Sequence, residues 1–148
     1  MSPRKGRTRV VLDTNVLIGY YLSARKDSAN SIVYRLWRTR RKLQLVISDE
    51  ILTEYLEVLQ RLGVPDIRIK RLEERVRRRE TVSHVNLGAR PEASRDPDDN
   101  LMVAIALSGK ADFLVTNDRD LLDIPASVRQ KYRFRIVSPA EFLELIKE

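Results

Sequence analysis

The sequence has no cysteine and a single histidine, His84. The lack of thiols excludes a disulfide framework and every thiolate metal site, and it fits a reducing compartment. One histidine excludes a histidine-rich zinc site, and a Ser-His-Asp triad would depend on that residue alone. His84 falls in a short predicted strand, where we interpret it as structural. Metal or acid–base chemistry in this chain therefore has to use oxygen-bearing side chains.

Long apolar runs and nucleotide-binding motifs are also missing. No segment approaches the length of a membrane span, and the basic N-terminus leads into a short strand rather than a signal-peptide core. There is no nucleophile elbow, no phosphate-binding P-loop and no dinucleotide fingerprint. We therefore expect a soluble, cytoplasmic protein without a membrane partner, and its 148 residues are enough for one domain spanning 1–148.

Positive charge is abundant: 28 Lys and Arg against 21 Asp and Glu give a formal net charge of +7. Such a balance favours a polyanionic partner, because Lys and Arg release condensed counterions when they bind a phosphate backbone. The alternative is that these residues only form solvated helix faces.

Short apolar runs alternate with longer helical patterns. The run Val10-Val11-Leu12 predicts a strand buried on both faces, and it ends at Asp13. Further strands are predicted at 43–47, 81–85, 113–115 and 134–137. Helices are predicted between most of them, including one at 66–79, and none is assigned between the last two strands. This order predicts an α/β fold in which helices cover both faces of a parallel or mostly parallel sheet.

Several helix ends carry recognisable signals. Thr14 and Asn15 are predicted to cap the first helix, and the run Gly63-Val64-Pro65 to end the third. Gly109 is predicted to stop an apolar, buried helix at 101–107. Ser138 and Glu141 form a capping box, with Pro139 between them, at the start of the closing helix.

Four acidic residues recur just after a strand or in the first turns of the helix that follows. They are Asp13, Glu54, Asp99 and Asp118. Since the carboxyl ends of parallel strands share one edge of a sheet, these carboxylates are predicted to converge there. Glu54 belongs to a stripe with Glu50 and Glu57 that could simply face solvent, but Glu54 projects closest to the apolar side of its helix.

The run Asp96-Pro97-Asp98-Asp99-Asn100 allows two interpretations. Asp96 could be a helix N-cap, with Pro97 as the first helical residue and two acids that suit the helix dipole. However, three crowded carboxylates repel one another unless a cation balances them. Hard oxygen ligands select Mg²⁺ or Mn²⁺, which activate water and neutralise charge at a phosphodiester. Acidic pocket and basic exterior together suit a metal-dependent nuclease.

Taken in order, these pieces resemble the PIN-domain ribonucleases, of the kind found as VapC-like toxins of toxin–antitoxin pairs. The matching segments are 12–17, 47–54 with 59, 96–100 leading into 104–106, and 111–121. The resemblance implies a three-layer α/β/α fold around a sheet of four or five mostly parallel strands. It also implies Mg²⁺ or Mn²⁺ as cofactor, RNA as substrate, frequent homodimers, and a separate antitoxin protein as a possible partner.

Site residues follow from the same resemblance. The acids of the family correspond to Asp13, Glu54, Asp99 and Asp118, which would be catalytic and hold the metal. Asn15 and Thr116 match supporting polar positions. Whether Asp96 or Asp98 also contacts metal is left open.

Two basic and aromatic groups are candidates for RNA binding. The stripe Arg68, Arg71, Arg75 and Arg78 could form a substrate-facing rim or a salt-bridged helix face. Basic residues at 35–42 surround Tyr34 and Trp37, which could stack on bases, but we interpret Trp37 as core because a large apolar ring gains most from burial.

The sequence therefore predicts a divalent-metal-dependent endoribonuclease. One alternative is a non-catalytic RNA-binding module that uses its Arg-rich faces. A haloacid-dehalogenase-type phosphatase also begins with a strand ending in Asp, but it needs a second Asp two residues later, where this chain has Asn15.

Overall fold

A five-stranded parallel sheet forms the centre of the protein. The computed structural model describes residues 7–39, 42–88 and 100–147. The strands are β1 (Thr8–Leu12), β2 (Leu43–Ser48), β3 (Val82–Val85), β4 (Phe113–Val115) and β5 (Arg135–Val137). The helices are α1 (Thr14–Leu22), α2 (Ala29–Thr39), α3 (Asp49–Arg61), α4 (Asp66–Val76), α5 (Leu101–Ser108), α6 (Arg119–Leu122), α7 (Ala126–Arg129) and α8 (Pro139–Leu145).

The strand order is β3-β2-β1-β4-β5, and every neighbouring pair is parallel. The chain therefore moves outward from β1 to β3, then crosses back to β4 on the other side of β1. Because crossovers between parallel strands are right-handed, this reversal places helices on both faces. The three-layer α/β/α fold is confirmed, with α5 packed across β1, β2 and β4 and α8 packed beside α2.

The central strands read as apolar runs because both of their faces are covered. Val10, Val11 and Leu12 are fully buried, and all six residues of β2 are buried. The large ring of Trp37 is 1% exposed, and its indole nitrogen donates to the carbonyl of Thr81 at 3.1 Å. The interpretation of Trp37 as a core residue is confirmed.

Two short helices, α6 and α7, lie between β4 and β5, where the sequence predicted none. Each has only four residues, about one turn, which is too short for a 3.6-residue periodicity to show in the sequence. The predicted helix 66–79 is also too long, because α4 ends at Val76 and the backbone then turns into β3. Arg78 therefore lies outside the helix that carries Arg68, Arg71 and Arg75.

Helix ends differ from the sequence prediction at three places. Asp13, not Thr14 or Asn15, is the N-cap residue of α1, and its side chain makes no capping hydrogen bond. Asn100 caps α5 through its side chain, and Asp96, the other candidate for an N-cap, lies outside the described residues. The predicted burial of the apolar helix α5 holds for Met102, Val103, Ile105 and Ala106 but not for Leu107 in its last turn, which is 44% exposed. The capping box of Ser138 and Glu141 is confirmed.

Two helices end in the same hydrogen-bonding motif with different residues in the left-handed position. After α3, Gly63 has φ +82°, and Val64 donates to the carbonyl of Leu59 at 3.0 Å. After α5, Lys110 has φ +51°, and Ala111 donates to the carbonyl of Ala106 at 3.0 Å. Gly109, predicted to stop α5, is its C-cap residue but does not adopt the left-handed conformation.

Candidate active site

Asp13 lies at the topological switch point of the sheet. It directly follows β1, which pairs with β2 on one side and β4 on the other. Its backbone N–H donates to the carbonyl of Val115, the last residue of β4, at 3.0 Å. In open α/β sheets ligands bind in the crevice at this point, because the loops on either side diverge.

The carboxylate of Asp13 is buried and held by polar neighbours. The Thr116 hydroxyl donates to Asp13 Oδ2 at 2.6 Å, and Asn15 Nδ2 donates to the same oxygen at 3.3 Å. Asp13 and Thr116 are 9% and 0% exposed. The side chain makes no capping hydrogen bond to α1, and a hydrogen bond from the backbone of Thr14, like that from Thr116, lowers the pKa of the carboxyl group.

Glu54 reaches the same edge from the second turn of α3. Its Oε2 accepts a hydrogen bond from the Thr14 hydroxyl, one residue after Asp13. Glu54 is half-buried, whereas Glu50 and Glu57 of the same stripe are exposed. The structure thus separates Glu54 from a simple solvent-facing row.

Asp118 follows β4 and is the N-cap of α6. Its Oδ1 accepts from the backbone N–H of Asp120 at 2.9 Å, and its own N–H donates to Thr116 Oγ1 at 2.9 Å. Thr116 therefore connects two acids, donating to Asp13 and accepting from Asp118. Asp118 therefore lies close to Asp13 at the carboxyl edge of the sheet.

Crowded negative charge is the main electrostatic property of this edge. Burial raises the pKa of Asp13 above its ordinary value, and the nearby charges of Asp118 and Glu54 raise it further. The hydrogen bond from Thr116 acts against this shift but does not cancel it. Among the side chains described, ion pairs join Arg25 to Asp27 and Arg119 to Asp123, and neither neutralises Asp13, Glu54 or Asp118.

Three further residues, Tyr55, Asn117 and Asn30, support the site, and the sequence predicted no role for any of them. The Tyr55 hydroxyl, fully buried, donates to the carbonyl of Leu12 and so fixes the end of β1; burial and the nearby carboxylates raise its pKa well above the ordinary value. Asn117 donates to Asn15 Oδ1 from its backbone at 3.1 Å and to Asn30 Oδ1 from its side chain at 2.9 Å. Of the three, only Asn117 could have been noticed in the sequence, because it lies in the segment after β4 that resembles the family.

Helix α2 is brought to this edge by a close approach of α1. A Cβ at Gly19 would overlap the side chain of Asn30, so the absence of a side chain there lets the two helices meet. Asn30 has no signal in the sequence, because its position depends on this helix crossing.

Asp99, Asp96 and Asp98 lie outside the described residues, so the structure assigns no place to them. Within 7–39, 42–88 and 100–147, no three His, Cys, Asp or Glu side chains are arranged to hold one metal ion. The charges of Glu54 and Asp118 therefore act on Asp13, but these three acids do not by themselves form a complete set of metal ligands. Their oxygen donors and unbalanced charge do fit a hard divalent cation.

Arg68, Arg71 and Arg75 lie around a group of tyrosines away from the acids. Arg68 Nη1 donates to the carbonyl of Tyr21 at 3.2 Å, and its guanidinium lies 4.6 Å from the centre of the Tyr21 ring. Arg75 Nη1 donates to the carbonyl of Arg38 at 3.4 Å. None of these three arginines takes part in the ion pairs of the described residues, so they do not form a salt-bridged helix face.

The fold and this edge define a class: three-layer α/β proteins with an acidic site at the switch point of a parallel sheet. The family model described as PIN domain matches residues 9–120, and the chain belongs to this family. PIN domains are generally nucleases that depend on divalent metal ions, which supports a hydrolase role. No curated protein matches the chain. No helix in the described segments is long and apolar enough to cross a membrane.

Proposed function

We propose that this protein is a metal-dependent endoribonuclease whose reaction centre lies at the carboxyl edge of the sheet. The observation that carries the proposal is the buried Asp13, whose pKa is raised by burial and by the charges of Asp118 and Glu54. Such a cluster costs free energy in the empty site and is stabilised when a cation binds.

Asp13, Glu54 and Asp118 would hold the ion, with Asp99 as the fourth acid that the family resemblance implies. When bound, a divalent ion activates water and neutralises charge at the phosphodiester. Thr116 and Asn15 fix the Asp13 carboxylate through Oδ2, which would limit its movement when it holds an ion. Tyr55 holds the backbone from which Asp13 projects.

The substrate proposed is single-stranded RNA, which would bind along the Arg–Tyr surface, defined as Tyr20, Arg35, Arg38, Arg68, Arg71 and Arg75. Tyr20 is half-buried, and its ring stacks on Tyr34 with 4.0 Å between centroids. Arg38 and Arg68 each lie 5.7 Å from the Tyr20 ring centre. A cleft of about 240 Å³ lies beside these residues. Cations around a supported aromatic ring are what single-strand binding uses.

Tyr34 and Trp37, the aromatics considered for base stacking, do not belong to that surface. Both are buried, and the Tyr34 hydroxyl pairs with that of Tyr21 at 2.6 Å. Arg78 is exposed beyond the end of α4 and is likewise left out of the proposed RNA path.

The decisive experiment compares one chemical change at the two edges of the sheet. Asp13→Asn is compared with Asp112→Asn, since Asp112 lies at the opposite edge and accepts from the backbone N–H of Arg9 at 2.8 Å. A mixed RNA pool is incubated with Mg²⁺, Mn²⁺ or chelator, and cut ends are mapped. We expect Asp13→Asn to lower cleavage by about 100-fold or more, since the ion supplies several kcal/mol.

The control should cleave within about twofold of the original protein, because Asp112 is level with Arg9, about 13 Å along the sheet from Asp13. Full activity of Asp13→Asn, or activity without a divalent ion, would refute the proposal. RNA binding without cleavage under either ion would favour the non-catalytic binding module instead.

Substrate binding is tested separately with Arg38→Gln combined with Arg68→Gln. We expect KM for RNA to rise and the salt dependence of binding to fall by about two counterions, with kcat little changed. Arg61→Gln with Lys147→Gln removes the same charge at exposed positions outside the Arg–Tyr surface and should leave KM unchanged.

Two partners are proposed from the family resemblance alone. One is a second copy of this chain; light scattering across a concentration series should show a dimer, and a monomer throughout would exclude it. The other is an antitoxin encoded next to this gene, which should copurify on coexpression and suppress cleavage of RNA. Growth arrest without that partner would assign the toxin role.

A further inference from the structure

A cavity of about 510 Å³ lies at the amino edge of the sheet, opposite the acids. Its walls come from the first residues of β1, the edge strand β3, and the turn between α5 and β4. Arg9, in the cavity lining, precedes Asp13 by four residues, about 13 Å along the strand, and none of Asp13, Glu54 and Asp118 lines the cavity. It is therefore separate from the carboxyl-edge site.

The lining of this cavity is strongly basic. Four basic side chains face a single acidic one, Glu80; the basic ones are Arg7, Arg9, Arg79 and Lys110. Within the described residues, Arg9, Arg79 and Lys110 take part in neither of the two ion pairs. The cavity therefore presents a concentrated positive field to an anion from solvent.

Arg9 is held rigidly in place by neutral acceptors. Its Nε and Nη2 both donate to the carbonyl of Gly109, at 2.9 and 2.7 Å, and its Nη1 donates to Ser83 Oγ at 3.3 Å. These oxygens fix the guanidinium without cancelling its charge. An arginine fixed in this way loses little further conformational entropy when an anion binds.

Two features keep this arrangement fixed. The buried Gln44 amide donates to Ser83 Oγ at 3.0 Å and to the carbonyl of Arg79 at 3.3 Å. A Cβ at Gly109 would overlap the Val46 side chain, so only glycine places that carbonyl against Arg9. Polar contacts therefore hold the Arg9 guanidinium and its acceptors in place before any ligand binds.

We propose that this cavity binds a phosphorylated small molecule of mononucleotide size. The phosphate would lie against Arg9, Arg79 and Lys110, which suit its charge and its oxygens. The cavity is larger than a phosphate ion requires and falls in the range of small-molecule sites, about 300–1,000 Å³. The side chain of Val85, which lies beside Gly109, offers an apolar surface for a planar base.

The test is titration calorimetry of the full chain with AMP, ADP and inorganic phosphate as separate probes. The variant is Arg79→Gln with Lys110→Asn, because asparagine tolerates the positive φ at Lys110. The matched control is Arg61→Gln with Lys147→Asn, which removes equal charge at exposed positions outside the cavity. We expect ADP to bind the original protein and the control with the same affinity. Its affinity for the variant should be lower by about tenfold or more.

Amide chemical-shift changes on adding ADP should centre on Ser83, Val85 and Gly109, and Asp13→Asn should leave ADP affinity unchanged. Equal weakening in variant and control, or no binding, would overturn the proposal. Inorganic phosphate binding as tightly as ADP would overturn the nucleotide assignment. Loss of RNA binding without any nucleotide binding would assign the cavity to the RNA path instead.

Discussion

The two edges of the sheet differ in charge. Asp13, Glu54 and Asp118 gather at the carboxyl edge, and Arg9, Arg79 and Lys110 gather at the amino edge. The direction of the helices accounts for part of this difference. Helices α1 and α3 begin at the carboxyl edge, where their N-termini favour anions, and α5 ends at the amino edge, where its C-terminus favours cations.

The helix dipoles do not decide the outcome at Asp13. Dipole stabilisation of a carboxylate is about 0.3–1 kcal/mol, and the pKa of Asp13 is nevertheless raised, because burial and neighbouring acids outweigh it. At the amino edge the guanidinium of Arg9 is held by carbonyl and hydroxyl oxygens, which fix its position but leave its charge. Both edges therefore carry unbalanced charge, negative and crowded at one, positive and held by a polar framework at the other.

The largest expected effects come from two Gly→Ala substitutions, one that acts on the amino edge and one that acts on the carboxyl edge. Gly109→Ala should cost about 3 kcal/mol of unfolding free energy, because its Cβ overlaps Val46 in the core. Gly19→Ala should cost somewhat less but should lower cleavage more, because it displaces Asn30 from Asn117. Chemical denaturation measures the change in unfolding free energy. Cleavage assays, corrected for the fraction of folded protein, measure the change in activity. Equal loss of cleavage in both variants would show that the edges are not independent.

Thr116→Val tests how the carboxyl edge tolerates its charge, with an expected cost of about 2 kcal/mol for hydrogen bonds to a charged group. The Thr116 hydroxyl lowers the pKa of Asp13, so its removal should raise that pKa. Cleavage that requires ionised Asp13 should then be lost at a higher pH as the solution is acidified. A pH–rate profile checks the direction; Thr116→Ser should restore the original profile, and an unchanged acid limb in Thr116→Val would contradict the role.

Asp13→Asn should increase stability in metal-free buffer, because it removes a carboxylate whose pKa is raised on folding. The folded state holds this proton more tightly than the unfolded state. The original protein therefore loses stability as pH rises from the ordinary value of 3.8 through the folded-state pKa, and the gain in the variant develops over that same interval.

Thermal unfolding with and without Mg²⁺ extends the same prediction. The ion should raise the midpoint of the original protein and of Asp112→Asn, but much less that of Asp13→Asn. Equal stabilisation of all three proteins would place the ion elsewhere.

Lys110→Gly should give the smallest change, a gain of about 0.5 kcal/mol. Glycine relieves the left-handed strain at φ +51° but also increases the entropy of the unfolded chain. Gly63→Ala at the equivalent position after α3 should have the opposite sign. Denaturant midpoints measure both, and destabilisation by Lys110→Gly would mean that the lysine side chain contributes at the amino edge without a ligand.

Much of the carboxyl edge could be predicted from sequence because each part has a local signal. An apolar run that ends at Asp13 indicates both the strand and its edge, and the position of Glu54 on α3 indicates its side of the helix. Asn30 and Tyr55 could not be predicted, because their contacts depend on how helices cross and how deeply a hydroxyl is buried. The four-residue helices α6 and α7 are too short for any periodicity to reveal.

The amino edge was not predicted at all. Arg9, Gln44 and Gly109 come from three distant segments, and nothing in their local sequence distinguishes them from ordinary strand or turn residues. Their association follows only from the strand register, which places Arg9 opposite Gln44. An acid directly after an apolar strand is easier to recognise in a sequence than a basic residue near the start of a strand.

The central position of β1 has a consequence for biosynthesis. This strand is made about 100 residues before β4, one of its two hydrogen-bonded neighbours, which starts only at Phe113. While the ribosome elongates the chain, Val10, Val11 and Leu12 keep one unpaired side until β4 is made. Nascent molecules would therefore have an open apolar strand until β4 emerges, a period in which chaperone binding competes with aggregation.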